Sequence, residues 1–407
     1  MSKILTGYRL NQMIGEGTNT RIYAGEKELN HQPVIIKVLK ADYPSLEDIA
    51  RLRHEFQILE SLNISGIVKS IALENYGNGL ALVLEDFGGV SLDHFLKQTS
   101  LQLDKFLHIA IQLVSTLAEL HHNQIVHKDI NPSNVLINPH TWEIKIIDFS
   151  ISSRLSRENQ VVGNPNLLEG TLAYLSPEQT GRMNRAIDYR TDFYSLGVTF
   201  YEMLTGQLPF QTNEPLEMVH CHIAKTPTPP SSLNSQIPQV VSDLVMKLLA
   251  KTAEDRYQSA LGLKTDLVRC QQLLAQKQSD VNCETDLDRV AAFQIGELDC
   301  CSQFLIPQKL YGRESEVSAL LASFDRISNG ATEVMLVSGY SGIGKSSLVN
   351  EMHKAIARRR GYFISGKFDQ FKRNIPYVSL IQAFQELMRQ LLTESNDKVA
   401  LWRTKLL

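Results

Sequence analysis

Apolar and polar positions change their rhythm several times along the chain. Tyr8 to Ile14 and Arg21 to Glu28 flank a glycine-bearing turn and predict two strands, and Val34 to Leu39 is a β-branched run behind Pro33 that predicts a third. From about Ser45 to Leu62 the period lengthens, with Leu46, Ile49, Leu52, Phe56 and Leu59 on one face of a predicted helix. Two short apolar strands are predicted near Val68 to Leu73 and Leu80 to Leu84. From Leu103 onward Phe106, Ile109, Leu113, Leu117 and Leu120 mark a long amphipathic helix. Strands first and helices afterwards predict a small β-rich lobe joined to a larger α-rich one.

A second change follows Leu274. The stretch from Ala275 to Asp299 is polar, mixed in charge and without sustained period, and reads as a linker. Val334, Met335, Leu336 and Val337 then run in succession inside Glu333 to Ser338, as in a strand buried on both faces. A helix from about Ser346 to Arg360 and a strand at Tyr362 to Ser365 would complete a βαβ unit.

Composition narrows the class. The chain has 407 residues, 43% hydrophobic and 21% charged, with net charge -3, which suits two to three globular domains. That balance gives no bulk charge for nucleic acid. No apolar run approaches the ~20 residues that span a bilayer, and the N-terminus lacks a signal-peptide core. The five cysteines show no paired CxxC spacing. A cytoplasmic protein, with no nucleic-acid partner and no membrane insertion, is expected.

Chemistry gathers at fixed intervals. Gly15 and Gly17 lie between the first two predicted strands, where missing side chains let backbone amides approach phosphate oxygens. A strand rather than a helix follows, which excludes a dinucleotide-binding loop. Lys37 closes the third strand, where its ammonium can reach the α and β phosphates of a nucleotide. Glu55, in the next helix, is placed to pair with it. In His127-Lys128-Asp129-Ile130-Asn131-Pro132-Ser133-Asn134, Asp129 can accept the proton of an attacking hydroxyl and Asn134 can hold a metal ion. Asp148, before Phe149 and Ser150 and behind a strand, offers a second oxygen ligand for magnesium.

Taken in order, these motifs resemble the protein kinase superfamily over about two-thirds of the chain. The resemblance implies a two-lobed α+β fold at residues 8–276, with a small lobe at 8–84, a hinge at 85–90 and a large lobe at 91–276. It implies ATP and Mg2+ as cofactors, and protein serine or threonine hydroxyls as acceptors, since Gly170-Thr171 resembles the serine/threonine substrate-facing loop. The glycine loop would be Ile14 to Ile22, with Ile14, Gly15, Glu16, Gly17 and Ile22 around the nucleotide. The carbonyl of Glu85 and the amide of Phe87 would bind adenine. Asp129 matches the catalytic aspartate, and Asn134 and Asp148 match the metal ligands. Glu178 of Ser176-Pro177-Glu178 would pair with Arg256, and Asp192 would brace the catalytic loop from below.

Five positions, Lys128 among them, depart from the family pattern. Thr20 replaces the third glycine of the loop, Ile35 stands where an alanine usually roofs the adenine, and Ser150 replaces a glycine. Asn131 stands where such kinases carry a lysine that neutralises the transferred phosphoryl group. Losing that charge is expected to cost about 10²–10³ in rate, which restoring a lysine would recover. The base, both metal ligands and the lysine–glutamate pair remain, so an active kinase is expected. The alternative is a catalytically weak pseudokinase serving as a nucleotide-binding scaffold. Ser152, Ser153, Ser156 and Thr171 are the hydroxyls of the activation segment, and Lys128 in place of an arginine predicts only modest activation by phosphorylation.

Gly339-Tyr340-Ser341-Gly342-Ile343-Gly344-Lys345-Ser346 fits the phosphate-binding pattern G-x-x-x-x-G-K-[ST] without a mismatch. Gly339, Gly342 and Gly344 would shape the loop, Lys345 would reach the outer phosphates, and Ser346 would hold magnesium. With Lys309 to Glu314 and Gly366 to Gln370, this tail resembles an AAA/STAND-like P-loop ATPase. Kinase plus ATPase resembles the N-terminal part of large cyanobacterial-type signalling proteins with sensor and histidine-kinase modules. A linker at 277–306 would precede this domain at 307–407. Tyr311 to the end is 97 residues, with no apolar strand ending in aspartate after the loop. The second domain is therefore expected to be incomplete, to leave one face of a helix near Val378 to Leu392 unclothed, and to bind nucleotide weakly without hydrolysis.

Overall fold

The structure is a computed structural model. It describes residues 5–155, 170–181, 185–212, 214–279, 293–300, 310, 312–340, 342–359, 361–368, 377–392 and 396–406. Of the positions singled out above, Ser156, Lys309, Tyr311, Ser341, Arg360, Asp369 and Gln370 lie outside the described residues.

The small lobe is one antiparallel sheet with a helix. Strands β1 (Tyr8–Glu16), β2 (Thr20–Lys27) and β3 (Pro33–Leu39) are followed by helix α1 (Leu46–Glu60), β4 (Ser70–Tyr76) and β5 (Gly79–Glu85), in the sheet order β1-β2-β3-β5-β4. The side chains of β3 alternate between faces, as a strand requires. Val34, Ile36 and Val38 join Ala81 and Val83 in a small cluster on one face. Leu39 and Ile35 point the other way, toward the main core, and Lys37 shares their parity. Helix α1 starts at Ser45, whose hydroxyl accepts the Asp48 N–H at 3.1 Å. Its buried face carries Leu52, Glu55, Ile58 and Leu59. A carboxylate in the middle of an apolar stripe needs a partner, and Lys37 supplies it.

The large lobe is helical. It opens with β6 (Val90–Ser91), α2 (Leu92–Gln98) and the long α3 (Leu103–His122). The short strands β7 (Ile125–Val126), β8 (Val135–Ile137), β9 (Ile144–Ile146) and β10 (Ser153–Arg154) flank the catalytic-loop residues. Helices α4 (Arg190–Thr205), α5 (Pro215–Ala224), α6 (Pro230–Leu233), α7 (Gln239–Leu248) and α8 (Ala260–Ser279) complete it. The core lies where α3 meets α4 and α8. There Phe106, Ile109, Leu113 and Leu117 pack with Phe193, Phe200, Leu263 and Leu267, and the Phe106 and Phe200 rings meet edge to face at 5.3 Å.

The rest comprises α9 (Glu314–Ser328), α10 (Lys345–Asn350), α11 (Met352–Arg358), α12 (Val378–Leu392) and α13 (Asn396–Leu406). Helix α11 packs on α9 and on α5 of the large lobe. The βαβ unit expected here does not form: among the described residues from 310 onward there is no strand. Val334 and Leu336 are 98% and 90% exposed. A strand exists only where a neighbour takes its backbone N–H and C=O groups, and none of the described residues offers one to this run. Its first residue, Glu333, is instead held to α9 by Arg326 and Ser323. On α12, Leu380, Ile381, Phe384 and Met388 form the uncovered apolar face that the periodicity predicts.

Candidate active site

Three segments converge on Lys37. Its ammonium lies 3.1 and 2.8 Å from the two Glu55 oxygens and 3.0 Å from Asp148 Oδ1. Glu55 and Lys37 are almost wholly buried, so each charge depends on the other. Burial would push the lysine down, but the Glu55 and Asp148 carboxylates outweigh it and hold it above its ordinary value. One ammonium between two carboxylates cannot serve both equally. Burial drives Glu55 up to about 7 against the pull of Lys37. For Asp148 burial also works upward, yet Lys37 and the Ser150 side chain prevail and hold it at about 2.

Asp148 sits at φ 64 and Lys128 at φ 71, both in the left-handed region. Each such residue costs on the order of 1–3 kcal/mol and persists only when its surroundings fix it. For Lys128 the fixing group is Asp192, the first acid of α4, whose buried carboxylate accepts the His127 N–H at 3.0 Å and the Lys128 N–H at 2.8 Å. His121 of α3 also bonds Asp192, at 2.8 Å. The bracing expected of Asp192 is therefore present as geometry, and His121 is a partner that the sequence reading missed. His127 is fully buried; Nε2 donates to Ile147 O at 3.1 Å and Nδ1 accepts the Asp129 N–H at 3.3 Å, while its ring stands edge-on to Phe149 at 4.8 Å. Ser150 is not among the residues at positive φ, so the loss of glycine there adds no backbone strain.

Asp129 is held from both sides. Oδ1 accepts the Thr171 N–H at 2.8 Å and Oδ2 accepts Asn134 Nδ2 at 2.9 Å. Ile147 N–H donates to Asn134 O at 2.9 Å, which ties the strand before Asp148 to this loop. With its nitrogen committed to Asp129, Asn134 presents its amide oxygen as the remaining ligand atom. An ionised Asp148 and an amide oxygen are the hard donors that suit Mg2+.

Asn131 has a role that the sequence reading did not assign. It is 2% exposed. Its Oδ1 accepts the N–H groups of Ser133 (2.9 Å) and Asn134 (3.2 Å), capping the short turn that begins at Pro132. Its Nδ2 donates to Asp129 O (3.1 Å) and Thr171 Oγ1 (3.2 Å). An Asn directly before Pro is an N-cap signature, so the signal was in the sequence. A lysine cannot accept those two N–H bonds.

Around the cleft, Gly17 N–H closes the loop onto Thr20 O at 2.8 Å, and Gly15 pairs with Ile22 across β1 and β2. Ile14 is exposed, and Glu16 pairs with Lys40 at 2.7 Å and Arg21 at 3.3 Å. Ile35 pairs with Leu84, the residue before the hinge, while Glu85 accepts the Lys69 N–H at 3.0 Å and the Lys145 ammonium. Lys145 also lies 5.2 Å from the centre of the Phe87 ring. Below the site, Glu178 and Arg256 form a buried bidentate pair at 2.7 and 2.9 Å. Arg256 offsets the effect of burial and holds Glu178 at about 2.

Residues 8–269 match the protein kinase domain family. The chain belongs to the protein kinase family. Residues 309–407 of this kinase match the AAA ATPase domain. Over the kinase domain it is 33% identical across 263 residues to the serine/threonine-protein kinase PrkC of Bacillus subtilis, covering 64% of this chain and 40% of that protein. It is 32% identical across 275 residues to the serine/threonine-protein kinase PknB of Mycobacterium tuberculosis, covering 64% and 42%. Hybrid signal transduction histidine kinase G of Dictyostelium discoideum is 30% identical across 392 residues, covering 76% of this chain and 11% of that protein. The chain thus spans well under half the length of these relatives. No helix among the described residues is long and apolar enough to cross a membrane.

The second loop is arranged differently. Gly339, Gly342 and Gly344 all have positive φ, as a loop wrapped around phosphate does. Lys345 Nζ donates to the carbonyls of Gly339 (2.9 Å) and Tyr340 (2.8 Å), folded back on its own loop. Ser346 is exposed in the first turn of α10.

Proposed function

We propose that this kinase transfers the γ-phosphoryl group of ATP to serine or threonine hydroxyls of proteins, as part of a signalling chain that includes the ATPase-like domain. The observation that carries this reading is the pairing of two preorganised centres: Lys37 held between Glu55 and Asp148, and Asp129 held by Thr171 and Asn134. Lys37 would grip the α and β phosphates beneath the Gly15–Gly17 loop, and Glu85 and Phe87 would hold adenine by their backbone groups. Asn134 and Asp148 would hold Mg2+, which supplies charge stabilisation to the phosphoryl group. Asp129 would orient the acceptor hydroxyl and take its proton as the new O–P bond forms and ADP leaves. Asn131 would keep that loop in shape rather than neutralise charge. Glu178, Arg256 and Asp192 would support the site from the core.

The second reading, a nucleotide-binding scaffold, draws on Asn131, whose amide is committed to the loop and brings no charge. Transfer of labelled phosphate from ATP to a generic acceptor by the full chain, with Asp129→Asn as control, separates the two. Label transfer that disappears in the control supports the kinase; nucleotide binding without transfer supports the scaffold. For the ATPase-like domain we propose weak nucleotide binding through Gly339, Gly342, Gly344, Lys345 and Ser346. Sensor or histidine-kinase modules are the partners proposed for it.

A further inference from the structure

Residues 293–300 follow the end of α8 in sequence, inside the stretch read as linker, yet they lie against that helix's beginning. Asp299 Oδ2 accepts the Gln258 N–H at 2.7 Å, and Oδ1 accepts both the Ser259 N–H at 2.8 Å and the Ser259 hydroxyl at 2.9 Å. Ser259 Oγ in turn accepts the Gly262 N–H at 3.0 Å. Ser259 is thus the N-cap of α8, and Gly262 is the third helical residue. In a capping box that third residue is a Glu or Gln reaching back to the N-cap N–H. Here it has no side chain, and Asp299 takes both the task and the space: a Cβ on Gly262 would come within 2.6 Å of Asp299 Oδ1 and 2.7 Å of its Cα.

The segment is anchored elsewhere too. Gly296 turns at φ +77 and donates its N–H at 2.6 Å to Asp266, a buried carboxylate that also accepts the Tyr257 hydroxyl at 2.6 Å. Phe293 and Ile295 pack on the large-lobe core, with the Arg269 guanidinium 4.3 Å from the Phe293 ring. On its other side the capped loop leads to the activation segment. The Gln258 side chain donates to the carbonyls of Ala253, Glu254 and Arg256 and accepts Arg190 Nη1 at 2.8 Å. Arg256 then grips Glu178.

We propose that residues 293–300 are a docking clip that completes the kinase fold and sets the position of the Arg256–Glu178 pair. Through this clip the segment leading to the ATPase-like domain acts on kinase turnover. The turnover part rests on the kinase reading above; the docking part does not.

Hydrogen exchange on the full chain, comparing wild type with Asp299→Ala and Gly262→Ala, tests the docking directly. Removing a cap is worth about tenfold in local opening. Both variants should lose about that protection at 256–262, at 293–300 and at 176–181, and the double variant should lose no more than either single. Gly262→Ala is the sharper arm, because alanine alone would strengthen the helix. Phosphoryl transfer should fall several-fold in kcat with the KM for ATP unchanged. Unchanged protection at 293–300 in both single variants overturns the clip. Lost protection there with 176–181 and kcat unmoved overturns the coupling. If wild type transfers no phosphate, the kinase reading fails, while exchange at 176–181 still decides whether the clip holds Glu178.

Discussion

Lys37 and Lys345 each stand beside a glycine-bearing loop whose sequence is marked for phosphate, but their surroundings differ in kind. Lys37 is buried on a central strand and is held by acids from a helix and from the segment after β9, so three distant parts of the chain specify one nitrogen position. Lys345 is held by two carbonyls of its own loop, within six residues. A side chain fixed by tertiary partners is preorganised for a ligand; one fixed by its neighbours in sequence has to be released first. Motif completeness therefore ranks the two sites in the wrong order. The P-loop matches its pattern at every position and has no sheet around it among the described residues, whereas the kinase site departs from its pattern at five positions and has a packed frame.

The largest effects should fall on the first site. Lys37→Ala is expected to lower phosphoryl transfer by about 10³, and Asp129→Asn by about 10²–10⁴, in a labelled-ATP assay. Lys37→Ala should still fold, because Glu55, already raised to about 7, can take up a proton when its partner goes; circular dichroism checks this. Arg256→Ala leaves the buried Glu178 carboxylate without its partner and should cost about 3–5 kcal/mol in denaturant unfolding.

The same pair gives a pH test. Glu178 is lowered from 4.5 to about 2 in the folded state, so its contribution is complete above pH 4.5 and is lost as pH falls toward 2. Glu178→Gln should therefore melt below wild type near neutrality, with the gap closing under acid, as melting curves at several pH values would record. Asn131→Lys should lower stability by about 1 kcal/mol through the lost cap and should not raise kcat; a faster enzyme would mean that charge outweighs the geometry of the loop. Lys345→Ala should shift melting by less than about 0.5 kcal/mol.

Much of the kinase domain was legible because its periods are unambiguous. The stripe from Phe106 to Leu120 predicts a helix with one apolar face and the β-branched run Val34 to Leu39 predicts a strand, and the structure buries that helix face and both faces of the strand. Lys37, Glu55, Asp129, Asn134 and Asp148 were found from order and spacing, and the structure brings them together. The strands expected at Glu333 to Ser338 and Tyr362 to Ser365 were misread because hydrophobic succession states a preference, while a strand also needs a neighbour that the pattern does not name. His121 and Asp299 escaped notice for a related reason. His121 acts through Asp192, 71 residues away, and Asp299 through Gln258 and Ser259, about 40 residues away, and no local period marks such contacts.

Asn131 leaves the cleft short of positive charge. Glu55 and Asp148 share the ammonium of Lys37, and Asp129 is held by two neutral donors, the Thr171 N–H and the Asn134 amide, in the region where a nucleotide polyphosphate would lie. A lysine at position 131 would have added a permanent positive charge beside these acids; under the proposed kinase reading, an asparagine leaves that share to a bound divalent ion. On that reading, occupancy of the site should track the free Mg2+ concentration more steeply in wild type than in Asn131→Lys, as nucleotide binding measured over a Mg2+ series would record.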